Sequence, residues 1–250
     1  MPIKVMSQNV MCWGVEGEST FEMRRPLMAR AVRENKPDII GFQEVVPVWK
    51  TYFDEDLADY ESYLVYRSEK NLEGTPIYWN PRRLELLECG HFWLSETPQT
   101  ESLGWDAVCV RITCWALFRD RDGGHEFAFV NTHLDHRGMT AQVKGIEQIC
   151  AFIKDKFGGG MPLVLTGDFN AEPDSGVIRT ADSLLCDARR AAVKSSERGT
   201  FHAYGKKEPI IIDYIYLSRD ISCKSFDTVD IRENGVIQSD HSGIISEIEL

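Results

Sequence analysis

Apolar residues along the 250-residue chain recur in two rhythms. Short runs such as "IKVMSQN", "DIIGFQE", "FAFVNTH" and "PLVLTGD" are dense in Val, Ile, Leu and Phe and read as strands. Strands are predicted over residues 3–10, 37–43, 61–66, 75–79, 84–94, 107–118, 126–132, 162–167, 211–217, 222–229 and 242–249. Helical spacing appears over residues 21–35, 47–58, 139–157 and 175–181. It is clearest in "TAQVKGIEQICAFIKDKF", where Val143, Ile146, Ile149, Ile153 and Phe157 form one apolar stripe suited to packing on a sheet. Gly158 to Gly160 then read as the end of that helix. Between Glu61 and Asp120 the extended segments show little helical rhythm, which predicts antiparallel strands. A mixed α/β (α+β) architecture of two sheets with helices outside fits this order. No stretch has the composition of a linker, so residues 1–250 are expected to form a single domain.

Several apolar runs end in side chains that carry chemistry. Asn9, Glu44 and His133 close three of them, and Asp168 with Asn170 follows a fourth in "LTGDFNAEP". Two more segments, "IIIDYIYLS" and "QSDHSGIIS", set Asp213, Asp240 and His241 beside apolar runs. Strands that share a sheet tend to build a ligand site where such ends gather.

Charge narrows the partners. The formal net charge is −11, and the arginine pairs at 24 and 25, 82 and 83, and 189 and 190 are dispersed. Avid binding of duplex DNA through its backbone needs a basic stripe and is disfavoured. A phosphate remains a suitable partner if a divalent cation supplies the positive charge. Seven scattered cysteines, none spaced as CxxC, read as buried free thiols in a reducing compartment. The N-terminus shows no signal-peptide pattern and no run has the length of a membrane span, so a soluble cytoplasmic protein, monomeric, is expected.

Oxygen donors without thiolates call for a hard cation, Mg²⁺ or Mn²⁺. Glu44 and Asp240 are the expected metal carboxylates, with Asn9 nearby through its amide oxygen. Residues 168 and 170 lie two apart and share a face of an extended segment. Asp168 there can orient or deprotonate a water, and Asn170 can donate to a phosphate oxygen. Asp213 is placed to bond one ring nitrogen of His241, and His133 to donate to the phosphate or protonate a leaving group. Together these parts suit in-line attack of water on phosphorus.

The six segments "SQNV", "PDIIGFQEV", "NTHLDH", "TGDFNAEPDSGV", "DYIYLS" and "SDHSGI" stand in an order that resembles the endonuclease/exonuclease/phosphatase superfamily of metal-dependent phosphoesterases. The resemblance implies a four-layer α/β/β/α sandwich with the catalytic residues at one edge of two central sheets. By motif it puts Asn9, Glu44 and Asp240 on the metal side, Asp168 and Asn170 at water and phosphate, and Asp213 behind the catalytic His241. His133 falls where some members have histidine and the apurinic-site endonucleases have tyrosine. Either Asp168 or His241 serves as base in such a scheme. "GDFNAEPDSGV" looks most like the deadenylase and nocturnin branch, and "FWLSETP" resembles compact bacterial hydrolases. Met11 departs from the acidic residue of the apurinic-site enzymes, and the phosphoinositide phosphatases' WCDR-type motif is missing.

Arg111, Arg137, His136, Asn80 and His202 are further candidates for holding the substrate beyond its phosphate. Trp13, Trp93, Trp105 and Trp115 are expected in the core. The leading expectation is a phosphoesterase acting on a phosphorylated small molecule or a short single-stranded nucleic acid. Its rivals are a nuclease, either a deadenylase-like RNA exonuclease or a DNA endonuclease, and a non-catalytic binding protein on the same fold.

Overall fold

The structure is a computed structural model that describes residues 1–158 and 160–250; Gly159, within the glycine run expected to end a helix, lies outside the described residues. In chain order the strands are β1 (Ile3–Asn9), β2 (Ile39–Gln43), β3 (Glu61–Tyr63), β4 (Ile77–Trp79), β5 (Leu84–Trp93), β6 (Ile112–Asp120), β7 (Glu126–His133), β8 (Leu163–Asp168), β9 (Cys186–Asp187), β10 (Lys194–Ser195), β11 (Asp213–Leu217), β12 (Ser222–Val229), β13 (Arg232–Glu233), β14 (Val236–Ile237) and β15 (Gly243–Glu249). The helices are α1 (Phe21–Asn35), α2 (Pro47–Asp56), α3 (Met139–Phe157), α4 (Gly176–Leu184) and α5 (Ala188–Ala191).

One sheet has the order β10, β12, β15, β1, β2, β4, β3, and the other β5, β6, β7, β8, β11, β9. Both are mixed. β1 runs parallel to β2 and antiparallel to β15, while β7 runs parallel to β8 and β8 antiparallel to β11. The middle of the chain is antiparallel, as its extended pattern predicts.

Three apolar layers follow from side-chain alternation. Val5, Ile39 and Trp79 of the first sheet meet Phe118, Phe127, Phe129 and Ile215 of the second, filling the space between the sheets. The opposite faces of β7 and β8 pack under α3 and α4 through Val130, Leu165, Ile146, Ile149 and Ile178. α1 and α2 cover the other outer face through Met28, Val32, Trp49 and Phe53 against Met6, Ile40 and Phe42. This is helix, sheet, sheet, helix. Among the described residues no helix is long and apolar enough to cross a membrane.

The inter-sheet layer turns polar near one edge. On β7 the same face carries Phe127, Phe129 and then Asn131, whose amide donates to the carbonyls of Phe42 (2.7 Å), Thr75 (3.1 Å) and Pro76 (3.0 Å). Its oxygen accepts from Gln43 Nε2 (2.8 Å) and Thr166 Oγ1 (3.0 Å). Gly41 leaves room for this seam, because a Cβ there would stand 2.3 Å from Thr166 Oγ1 and 2.4 Å from Asn131 Oδ1. Polar groups thus lock the two sheets in register beside the edge where the candidate residues emerge.

Several predicted strands are shorter than their patterns: those over 61–66, 75–79 and 211–217 keep Glu61–Tyr63, Ile77–Trp79 and Asp213–Leu217, and that over 107–118 loses its first five residues. Residues 107–111 form a loop, and β6 begins only at Ile112. Asp135 Oδ2 accepts the amides of Val108 and Cys109, both at 3.1 Å, and Asp106 accepts those of Thr140 and Ala141 at the start of α3. Side chains thus take backbone groups that a ladder would otherwise use.

Candidate active site

The parallel pairs β1 with β2 and β7 with β8 end at the same edge, where the antiparallel β11 and β15 begin. Asn9, Glu44, His133, Asp168, Asp213, Asp240 and His241 all meet there, and all but Glu44 are buried. Met11, Glu44 and Asn170 have φ of 56°, 63° and 49°, so the chain turns through the left-handed region just past β1, β2 and β8. For Glu44 and Met11 this costs about 1–2 kcal/mol each. The strain is held by local bonds: Val45 exchanges both backbone bonds with Gly74, and Glu44 Oε2 accepts the Cys12 amide at 2.8 Å.

Asp168 is the hub. Its Oδ2 accepts from Asn9 Nδ2 at 3.0 Å and lies 3.4 Å from His133 Nε2 and 3.7 Å from His241 Nε2. Its Oδ1 accepts the Asn170 amide at 2.9 Å. Burial, then the neighbouring Asp213, raises its pKa above the usual carboxylate range. His241 Nδ1 bonds Asp213 Oδ2 at 2.9 Å, so Nε2 is the nitrogen turned toward Asp168. Burial alone would lower the His241 pKa, but Asp213 and then Asp168 outweigh it and hold the ring charged.

Two of the expected residues have partners within the protein that their spacing does not show. Asn9 Oδ1 accepts the Met11 amide at 2.9 Å, while its nitrogen donates to Glu44 Oε1 at 3.2 Å and to Asp168. Asn9 therefore spans two carboxylates through its nitrogen, and its oxygen keeps a second lone pair beside the Met11 bond. Asn170 Nδ2 lies 3.0 Å from His133 Nε2 and donates to the Leu134 carbonyl at 3.1 Å. Asn170 thus stands against His133 on the cavity lining, with one amide hydrogen held by Leu134 O.

A second wall brings the expected Arg111, His133 and His136 together with two charges that no sequence pattern singled out, Arg67 and Glu73. Glu73 accepts from Arg67 Nη1 at 2.7 Å and lies 3.7 Å from Arg111 Nη1 and 3.8 Å from His133 Nδ1, all buried. Burial raises the Glu73 pKa against the pull of Arg67. Burial, then Arg111 and Arg67, lower His133 well below the usual histidine value and keep it neutral. Arg111 Nη2 also meets His136 Nδ1 at 3.3 Å.

These walls enclose a cavity of about 570 Å³, lined by Glu44, Asp168, Asn170, Asp240, His133, His241, Arg67, Glu73, Arg111 and His136 and by the loop residues Met11 to Trp13 and Phe201 to Tyr204 other than His202. Arg137 is exposed and stands outside this lining. Asn80 is at the far end of β4, where its oxygen accepts the Arg82 amide at 3.0 Å and its own amide donates to Asp38 O. His202 opens on a separate depression with Arg198, Thr228 and Arg232. Asn80 and His202 are therefore not brought to this site. Cys12 and Cys109 line the cavity and do not join the core, and burial with Glu44 raises the Cys12 thiol pKa, which makes it a poor nucleophile. Trp13 is also a departure from the expected core position, being 52% exposed.

The donor set fits a hard cation at Glu44 and Asp240. Asp240 is buried, and burial raises its pKa most; the neighbouring His241 pulls it down and Glu44 pushes it up, so the two carboxylates, both on the cavity lining, act on each other as oxygen donors of the kind a hard cation takes. Asp168, Asp213 and His241 are clustered as well, but there the imidazolium already supplies the cation.

Comparison with known proteins bears on the chain as a whole. A family model described as the endonuclease/exonuclease/phosphatase family matches residues 24–241. A solved endonuclease/exonuclease/phosphatase from Bacteroides vulgatus is similar at TM-score 0.93 and 28% identity, over 100% of this chain and 99% of that one. The mannosyl-6-phosphatase Bt3783 of Bacteroides thetaiotaomicron is similar at TM-score 0.90 and 29% identity, over 99% of this chain and 100% of that one. Nocturnin of Drosophila melanogaster is 29% identical over 185 residues, 68% of this chain but 27% of nocturnin, so the chain spans about a quarter of that relative.

Proposed function

The chain belongs to the endonuclease/exonuclease/phosphatase family, and from that premise we propose that it is a divalent-metal-dependent phosphoesterase that hydrolyses a phosphate ester of a small molecule by direct attack of water. The observation that carries this reading is the convergence of Asn9, His133 and His241 on Asp168 Oδ2 within 3.0 to 3.7 Å, on the wall of the cavity.

Asp168 takes the role of base. Its raised pKa puts it nearer neutrality than an ordinary carboxylate, which favours accepting a proton from water. His241, held as a cation by Asp213, faces the developing negative charge on the phosphoryl oxygens and does not serve as base while protonated. Neutral His133, held by Asn170, is a second polar contact for phosphate or leaving group. Asn9 fixes the spacing of Glu44 and Asp168. Glu44 and Asp240 would hold Mg²⁺ or Mn²⁺, which when bound supplies charge neutralisation of the phosphate. The similarity over full length to a mannosyl-6-phosphatase supports a small phosphomonoester ahead of a nucleic acid.

The test is hydrolysis of a panel of phosphomonoesters, phosphodiesters and single-stranded oligonucleotides, with Mg²⁺ or with chelator, by the wild type and by Asp168→Asn and His241→Ala. Small-ester hydrolysis that is lost with chelator and in both variants is expected. Activity surviving those changes refutes the scheme, and oligonucleotides as the sole substrates would make the protein a nuclease.

A further inference from the structure

The loop between β1 and α1 is built around a buried charge. Arg24 is 0% exposed and lies 4.9 Å from the Trp49 ring and 5.3 Å from that of Phe21. Its guanidinium donates to the carbonyls of Ser19 (3.1 Å), Val10 (2.6 Å), Met11 (3.1 Å) and Trp13 (2.7 Å). Trp49 Nε1 adds a bond to Met11 O at 3.0 Å, and the Cys12 amide is held by Glu44. The backbone from Val10 to Trp13 is thus anchored at each residue, yet the Trp13 indole stands half in solvent on the cavity lining. Exposing a large aromatic ring gains nothing for folding. Fixing its backbone beforehand does lower the ordering cost of whatever lies against it.

The same rim loop is tied across the mouth. Lys206 Nζ pairs with Glu18 Oε2 at 3.2 Å, linking it to the segment after Phe201, where Ala203 and Tyr204 hold φ of 47° and 61°. Glu18 and Lys206 both line the cavity, so this pair ties two of the loops that form its lining. The cavity volume of about 570 Å³ suits one small molecule.

We propose that Trp13 is the specificity platform of this pocket and that the substrate carries, besides its phosphate, a ring with an apolar face, which stacks on the indole while the phosphate lies at Asp168 and His241. This rests on the phosphoesterase reading. The shared chemistry is an apolar ring face, offered by the C–H face of a hexose or by a nucleobase. Arg24 is a positioning residue that acts only through the loop.

Initial rates with Mg²⁺ would be compared for the wild type, Trp13→Ala and Trp13→Phe on a hexose 6-phosphate, a nucleoside 5′-monophosphate, glycerol phosphate and a 5′-phosphorylated oligonucleotide. For one of the two ring substrates, Trp13→Ala is expected to lower the kcat/KM ratio over glycerol phosphate by about tenfold, mainly through KM, as removal of a single ring-stacking interaction requires. Trp13→Phe should stay within about threefold of wild type. Which ring loses preference identifies it as sugar or base. A ratio unchanged by Trp13→Ala, or wild-type preference for the oligonucleotide, overturns the inference and leaves phosphoester hydrolysis standing. A wild type inactive on all four esters overturns both.

Discussion

Asn131→Ala is the sharpest structural perturbation, because it removes the polar seam beneath the site without touching any residue placed in catalysis. The side chain makes five hydrogen bonds that join β7 to Phe42, Gln43, Thr75, Pro76 and Thr166, and it is 0% exposed. At about 1 kcal/mol net each they sum to roughly 5 kcal/mol. Three partners keep an alternative: Pro76 O still accepts the Phe42 amide, Gln43 still reaches Ser7 and Gly41, and Thr166 still reaches Val130 O. The carbonyls of Phe42 and Thr75 carry most of the loss, which sets the expected destabilisation at about 3–5 kcal/mol. For a chain of this size each kcal/mol lowers Tm by roughly 2–4 °C, so the melting temperature should fall by about 6–20 °C. Denaturant unfolding followed by circular dichroism gives the free energy directly. A loss below about 1 kcal/mol would refute the claim that this seam holds the two sheets together at the active edge.

Gly41→Ala attacks the same seam from the other side and should also destabilise, since the added Cβ would sit within 2.4 Å of Asn131 Oδ1; an unchanged unfolding midpoint would contradict it. Glu73→Gln removes the carboxylate shared by buried Arg67 and Arg111, and a loss of about 3 kcal/mol in denaturant unfolding is expected, chiefly from Arg67, since Arg111 keeps Asp135 at 4.0 Å. Backbone bonds, first from Ala141, hold the Asp106 carboxyl below its usual range. Its contribution is therefore present above the ordinary carboxylate pKa of about 3.9 and lost as pH falls through the lower folded value. The melting-temperature gap between wild type and Asp106→Ala should be full at neutral pH and shrink in acid, and a gap independent of pH would disprove the capping role.

Much of the fold was legible because its elements are strongly patterned. The stripe of α3 packs on the second sheet as its spacing requires, and the apolar runs of β1, β2, β7 and β8 end at the edge where Asn9, Glu44, His133 and Asp168 gather. The two-residue strands β9, β10, β13 and β14 are too short to carry any period. Residues 107–111 look like strand in their alternation, but Asp135 claims their amides from a distant turn. Arg67 and Glu73 escaped notice for a related reason. "YRSEKNLEGT" reads as a solvated charged loop, but bridges from Gly74 to Val45 and to Tyr66 fold it into the pocket wall. Asn80 failed in the opposite sense, since an Asn before Pro suits a turn as well as a ligand site, and here it caps a turn. The orientations of the Asn9 and Asn170 amides depend on neighbours more than 30 residues away, so spacing alone does not reveal them.

The most direct measurement of the central claim is phosphate release as Mg²⁺ is titrated into metal-stripped protein, for the wild type and for Glu44→Gln. A saturable rise from a negligible rate is predicted for the wild type, with Glu44→Gln needing at least about tenfold more Mg²⁺ or showing no recovery, as loss of a metal-side carboxylate requires. Phosphate release at the same rate with and without Mg²⁺, or a Glu44→Gln curve that overlays the wild type, would contradict it.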